Sequence, residues 1–225
     1  MGVPEWCGPP VIAGAWTELE GVEALTMAHE IGAAPDSMSD LVRDFQVERL
    51  RVLPLPCYPG ALLVEMQARM EDRVGLSNHL YGSWGMVTLD GGSAVIHDIN
   101  EIEDALTLDT EEAARAYHAL FCNTVRGEDG RFQTIVDPND LVWRAPPDDA
   151  IFATITIGQK FRRNGSGWEI ESPIAYGDTM FVAHFQLTAG GMVEMVDDDP
   201  VAHEMPIAPE RWDRQFRIPP RGAAA

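Results

Sequence analysis

Phe181-Val182-Ala183-His184-Phe185-Gln186-Leu187 is followed by Thr188-Ala189-Gly190-Gly191 and then by Met192-Val193-Glu194-Met195-Val196. Phe181, Ala183, Phe185 and Leu187 recur at every second position, which is the period of a strand with one face buried. The paired glycines turn the chain, and the next run returns beside the first. Upstream, Asn164-Gly165 is a hairpin turn and Trp168–Glu171 answers it. Phe132–Val136 and the alternating Ile151–Ile157 read as further strands. Together these runs predict an antiparallel meander over about residues 131–196.

Before the meander the period changes to that of a helix. Ala113, Ala116, Tyr117, Leu120, Phe121, Thr124 and Val125 form one apolar stripe, so a central amphipathic helix is predicted over about 110–126. Asp109 is its expected cap with Glu112 at N3, Glu111 and Arg115 pair across one turn, and Gly127 ends it. Nearer the start, Thr17-Glu18-Leu19-Glu20 reads as a capping box opening a helix over about 18–31, with Leu19, Val22, Leu25 and His29 on its apolar side. A short helix is expected from Ser37 to Phe45. The proline-rich stretch 53–60 is not helical. Residues 61–70 read as a strand with Leu62, Val64, Met66, Ala68 and Met70 on one face and Glu65, Gln67 and Arg69 on the other. Met86–Leu89 and Ala94–Ile99 read as a hairpin around Asp90-Gly91-Gly92. The expected fold class is α+β: helices and a hairpin, the central helix, then the meander. One domain is expected over 1–210, with an internal boundary near 146–149. Residues 211–225 are read as a basic, aromatic tail.

The 225 residues are 45% hydrophobic and 23% charged, which are ordinary globular values. The net charge of −20 is not ordinary. Such a surface repels phosphate backbones and anionic membranes, so direct nucleic-acid or membrane binding is not expected. A basic protein partner would be steered towards it. Fifteen of the sixteen basic residues are Arg, the bias of a GC-rich, bacterial genome, so lysine chemistry would have to use Lys160. Cys7, Cys57 and Cys122 show neither a disulfide framework nor a CxxC metal site. The opening residues lack a secretory pattern, and the cytoplasm is the expected compartment.

The strong catalytic motifs are missing. Lys160 has no preceding P-loop glycines, and His29-Glu30 and His203-Glu204 lack the second histidine of a zinc helix. No cofactor is expected, and no metal site. Three weaker constellations remain. His184 falls on the polar face of the meander, where Glu169 and Glu194 supply carboxylates for an acid–base pair if the curled sheet forms a pocket. His118 and Cys122 lie one helical turn apart, the geometry for lowering a thiol pKa. Asp197-Asp198-Asp199 with His203 and Glu204 gathers hard oxygens. The tail residues Arg211, Trp212, Arg214, Phe216 and Arg217 have the composition of an interface hot spot. The leading expectation is therefore a non-enzymatic acidic protein-interaction module, an adaptor, regulator or immunity-type protein. The alternative is a small-molecule enzyme or ligand-binding protein using His184, Glu169 and Glu194.

Overall fold

Two antiparallel sheets enclose one buried helix. The structure, a computed structural model, describes residues 5–34, 45–71 and 73–220. The larger sheet is built from β1 (Thr17–Leu19), β2 (Phe45–Pro54), β3 (Leu62–Met70), β4 (Arg73–Gly82), β5 (Gly85–Leu89) and the late hairpin β13 (Arg211–Asp213) and β14 (Phe216–Ile218). Its order is β1-β2-β3-β4-β14-β13, and β5 also pairs with β4. The helices are α1 (Gly21–Ala33), packed on the Val64 and Met66 face of the larger sheet, α2 (Ala94–Asn100) and α3 (Glu111–Thr124) in the core between the sheets, and α4 (Asp149–Ile157), clustered with Ala175 and Met180; β6 (Arg126–Gly127), β7 (Gly130–Arg131) and β8 (Gln133–Thr134) are two-residue strands. The second sheet holds β9 (Lys160–Asn164), β10 (Gly167–Tyr176), β11 (Thr179–Leu187) and β12 (Val193–Ala202), in the order β12-β11-β10-β8 with β9 also on β10. The architecture is α+β with antiparallel sheets.

The meander folds on the parity its sequence predicts. Trp168, Ile170, Ile174, Phe181, Ala183, Phe185 and Leu187 point inward. They meet Leu53, Leu63 and Leu80 of the larger sheet across α2 and α3. This cluster draws residues from both sides of 146–149. Thr110, not Asp109, caps α3: its Oγ1 accepts the Ala113 amide at 3.2 Å. Tyr117 anchors the helix at its centre. Its hydroxyl donates to the Gly191 carbonyl at 2.6 Å and accepts from Asn100 Nδ2 at 2.7 Å, while Asn100 Oδ1 takes the Tyr58 hydroxyl at 2.6 Å. Gly191 sits at φ +81, and a Cβ there would run into Asn100 and the Tyr117 hydroxyl, so the turn requires glycine on both counts.

Several expectations are corrected. Thr17 caps no helix, because Thr17–Leu19 pairs with β2, and Glu18 is held there by Trp6 Nε1 at 2.7 Å and by Arg49. The helix starts at Gly21 (φ +54) and buries Ile31, with Ala24, Met27 and Ala28 packed on the sheet, while Val22 and Leu25 are 79% and 73% exposed. Residues 94–100 form α2 rather than a strand. β5 already pairs with β4 through a tight turn at Gly82–Gly85, and Ile96 and Ile99 meet the core at helical spacing. Residues 149–157 form α4, not a strand: Asp148 Oδ1 accepts the Ile151 amide at 2.9 Å, and Ile151 and Ile155 are buried one turn apart. The expected helix from Ser37 lies outside the described residues, apart from Phe45, which opens β2. The 211–225 tail is corrected in part: residues 211–218 are strands of the larger sheet.

Glu65 and Gln67 do not face water. The segment 5–16, here the strap, crosses over them and is tied down by a buried charge network. Arg217 and Glu65 are both 0% exposed. Arg217 donates to Glu65 Oε2 at 3.3 Å, Glu210 Oε1 at 2.9 Å and the Pro9 carbonyl at 2.6 Å. Arg51 pairs with Glu65, and Arg131 with Glu210 at 2.9 Å. Burial alone would raise the Glu210 pKa. The Arg131 and Arg217 guanidiniums outweigh it and hold the carboxyl at about 2.

His79 and His118 are fully buried, and burial lowers each pKa to about 3. Both stay neutral in the fold while the unfolded chain takes up protons below its ordinary value of 6.5. Their contribution is therefore complete above that value and is lost as the pH falls towards 3. In urea titrations the unfolding free energy is expected to fall between pH 6.5 and 4.5, each histidine adding about 1.4 kcal/mol per pH unit at most. His118→Leu should remove about one proton's worth of that slope. Arg217→Met, which strands Glu65 and Glu210 short of one partner, should cost about 3 kcal/mol in the same assay at pH 7.

Candidate functional site

A cleft of about 560 Å³ opens between the strap, the flank of α3 and the β8 edge of the second sheet. Its floor exists because α3 carries small side chains there. Ala116 and Ala119 lie three residues apart on one flank and are only half-buried, while Tyr117 and Leu120 beside them are fully buried in the core. One wall is Pro9–Ala15 of the strap together with Leu53–Pro56. The other includes Thr134, Val136 and Gln159. The lining is mostly aliphatic and prolyl, the usual character of a small-molecule site of roughly 300–1,000 Å³.

The polar groups around the cleft are engaged with one another. Asn123 Nδ2 donates to Thr134 Oγ1 at 2.7 Å, and its Oδ1 accepts Arg131 Nη1 at 2.9 Å. The same Arg131 nitrogen donates to the Val11 carbonyl at 3.1 Å, which ties the strap wall to the helix floor. Arg115 donates to Gln159 Oε1 at 3.0 Å and to Glu111 at 2.7 Å, and lies 4.3 Å from the Phe161 ring centre. Asp140 Oδ2 accepts the Val136 and Asp137 amides at 2.8 and 2.9 Å. Among the described residues lining the cleft there is no histidine, cysteine or serine. The hydroxyl and carboxylate groups of the lining are Thr134, which accepts from Asn123, and Glu112 and Asp140.

The sequence candidates lie elsewhere. His184 is on the outer face of the second sheet, one ladder row from Glu169 and Glu194. Its own row holds Glu171 and Asp197, and its Nε2 meets Asp199 Oδ2 at 3.1 Å, a carboxylate 80% exposed. Glu169 is paired with Arg162 and takes Asn164 Nδ2 at 2.8 Å; Glu171 is paired with Lys160 at 2.6 Å. A shallow depression includes His184, Glu169 and Glu171 but leaves out Glu194. The imidazole thus stands in water on an open face, with a carboxylate other than the two expected.

His118 Nε2 and Cys122 Sγ are 3.5 Å apart, yet both are buried, and burial moves the thiol pKa up rather than down. The imidazole is packed edge-on against Phe185 at 4.8 Å and Phe161 at 5.9 Å. Among the described residues no three His, Cys, Asp or Glu side chains gather as metal ligands. The hot-spot residues are divided: Phe216 packs on Phe45 at 5.6 Å, Arg217 is in the charge network, Trp212 lies under the Arg126 guanidinium at 4.3 Å, and Arg211 and Arg214 are exposed.

Compared with known proteins, the chain matches no family model, no curated protein and no solved structure.

β12 is an edge strand of the second sheet. Glu194, Asp197, Asp198 and Asp199 are exposed along it, and register shifts interrupt its pairing at Val196 and near Pro200. Charges, bulges and proline are the devices that stop a bare edge from pairing with another copy. Replacing Asp197, Asp198 and Asp199 by Ser is expected to produce dimers and higher species in light scattering at physiological salt, where the parent chain remains unpaired through this edge.

Proposed function

We propose that the protein is a non-enzymatic binding module and that the cleft between the strap and α3 is its binding site for a compact, mainly apolar ligand. The observation that carries this reading is the floor of Ala116 and Ala119. Two small residues on the flank of an otherwise buried helix leave about 560 Å³ unfilled where larger side chains would have closed the core. The engagement of Arg115, Arg131 and Asp140 with neighbouring groups favours binding over catalysis. Arg115, Gln133 and Gln159 supply the few polar contacts that would orient a ligand. The net charge of −20 disfavours an anion, so the ligand is neutral or cationic.

A second reading is favoured by the acidic edge strand β12. Its exposed carboxylates, beside exposed Met195 and Val196, suit a basic protein partner. On that reading the module joins two binding functions, a ligand in the cleft and a protein at the edge.

Nile red, a neutral dye whose emission rises when it leaves water, is the direct probe of the cleft. Saturable binding is expected. At a free concentration 100 times its Kd the dye should stabilise the fold by about 2.7 kcal/mol. Ala116→Trp fills the floor and should abolish both the emission and the stabilisation while the far-ultraviolet dichroism is unchanged. Equal binding by the filled variant would sink the cleft as the site.

A further inference from the structure

The floor beneath the strap makes its polar contacts chiefly with main-chain atoms. Gln67 Oε1 accepts the Cys7 amide at 2.7 Å, and Gln67 Nε2 donates to the Glu5 carbonyl at 3.0 Å. One side-chain amide thus reads an N–H and a C=O of the passing chain. Glu65 Oε2 accepts the Val11 amide at 3.0 Å, and Arg217 donates to the Pro9 carbonyl at 2.6 Å. Contacts of this kind hold a peptide by its backbone and tolerate many side chains. One side chain is gripped as an anchor. Trp6 is buried with the Arg51 guanidinium 4.0 Å and the Arg49 guanidinium 5.1 Å from its ring centre, and its Nε1 donates to Glu18 at 2.7 Å.

The fit of the strap is incomplete. Asn78 Oδ1 and Arg217 Nε are buried with no hydrogen-bond partner. Asn78 stands directly opposite Glu65 in the β3–β4 ladder, and Arg217 opposite Leu76, which itself opposes Gln67, so all of them share the strap-facing side of the sheet. The strap brings Pro9 and Pro10 over this floor, two residues with no amide hydrogen to give. Of the five buried side-chain atoms without a partner among the described residues, two lie in this floor and the others are on Trp84, His118 and Arg126.

We infer that this floor is a peptide-binding groove which residues 5–12 occupy in cis. Its ligand in trans is a segment of a partner protein with the same chemistry: a tryptophan anchor followed by main chain that offers an N–H to Asn78 Oδ1, where this chain has prolines, and a carbonyl to Arg217 Nε. The exposed link Ala13-Gly14-Ala15 is where the strap would swing away. This site is separate from the cleft floor and does not rest on the cleft reading. The tethered strap competes at an effective concentration of about millimolar, so a partner binds the intact chain only by displacing it.

The test uses the full chain with Trp6→Ala, which loosens the strap and leaves the groove. The probe is a fluorescein-labelled peptide of residues 5–12 with Ser at the Cys7 position, followed by anisotropy. The loosened variant should bind it saturably and roughly 10- to 100-fold more tightly than the parent chain, the weight of one aromatic anchor. Adding Gln67→Ala should weaken binding about 10-fold, since both backbone contacts go. A folded Trp6→Ala chain that takes no peptide, or pairs into dimers instead, overturns the proposal, as does indifference to Gln67. Should Trp6→Ala fail to fold, amide exchange of the parent chain decides. The Cys7 and Val11 amides are expected to exchange by local opening, at least about 100-fold faster than the β3 core. Exchange at the β3 rate would show a strap that never leaves the groove.

Discussion

A guanidinium with no exposure to solvent must be paired, and the pairing of Arg217 draws together segments far apart in the chain. It binds Glu65 of β3, Glu210 before β13 and the Pro9 carbonyl of the strap. Through the two carboxylates it reaches Arg51 of β2 and Arg131 of β7. The desolvation of five charges offsets much of their attraction, so the network is a weak source of net stability. What it supplies is position. The strap and the β13–β14 hairpin are thereby held to one guanidinium, and leaving either carboxylate unpaired would be costly. The basic, aromatic composition of residues 211–218 is thereby accounted for inside the fold, at Arg217 and Phe216.

The cleft inherits its shape from that network. Arg131 holds Glu210 with two nitrogens and spends the third on Val11 of the strap and Asn123 of α3. One wall and the floor are therefore joined by a single side chain that is itself fixed from behind. Asn123, Arg131, Thr134 and Asp140 are used in holding the walls. What remains open is the aliphatic surface between them, with Ala116 and Ala119 beneath. A cleft built this way presents chiefly apolar surface, with a few polar groups at its margins.

Much of this was legible locally, and the failures share a cause. The stripe of α3 and the alternation of β10 and β11 were readable because each element buries one face against a distant surface and its period survives. Ile151–Ile157 carries apolar residues at spacings that fit both periods, and the Asp148 cap decided for a helix. In α1 Val22 and Leu25 face outward, while Ala24, Met27, Ala28 and Ile31 face the sheet. Alternation put Glu65 and Gln67 correctly on one side of β3, but the cover they receive comes from residues more than fifty positions earlier. No local pattern announces such a strap. The available signals were the aperiodic apolar run Pro9-Pro10-Val11-Ile12 and the small pair Ala116 and Ala119 inside a helical stripe.

The acidity can now be placed. The core network carries three arginines against two glutamates, so the excess negative charge lies outside it. Part of that excess lines β12, whose outer edge would otherwise offer unpaired main-chain groups beside exposed Met195 and Val196. Carboxylates on an edge repel an identical edge and attract a basic one, so the same residues can prevent self-pairing and choose a partner. His184 belongs to this surface. Its imidazole sits among Asp197, Asp199 and Glu171, with Nε2 on Asp199 Oδ2 at 3.1 Å. The polar face of the meander is then best understood as an electrostatic surface, and the cleft between strap and helix as the apolar recess that the proposed ligand would fill.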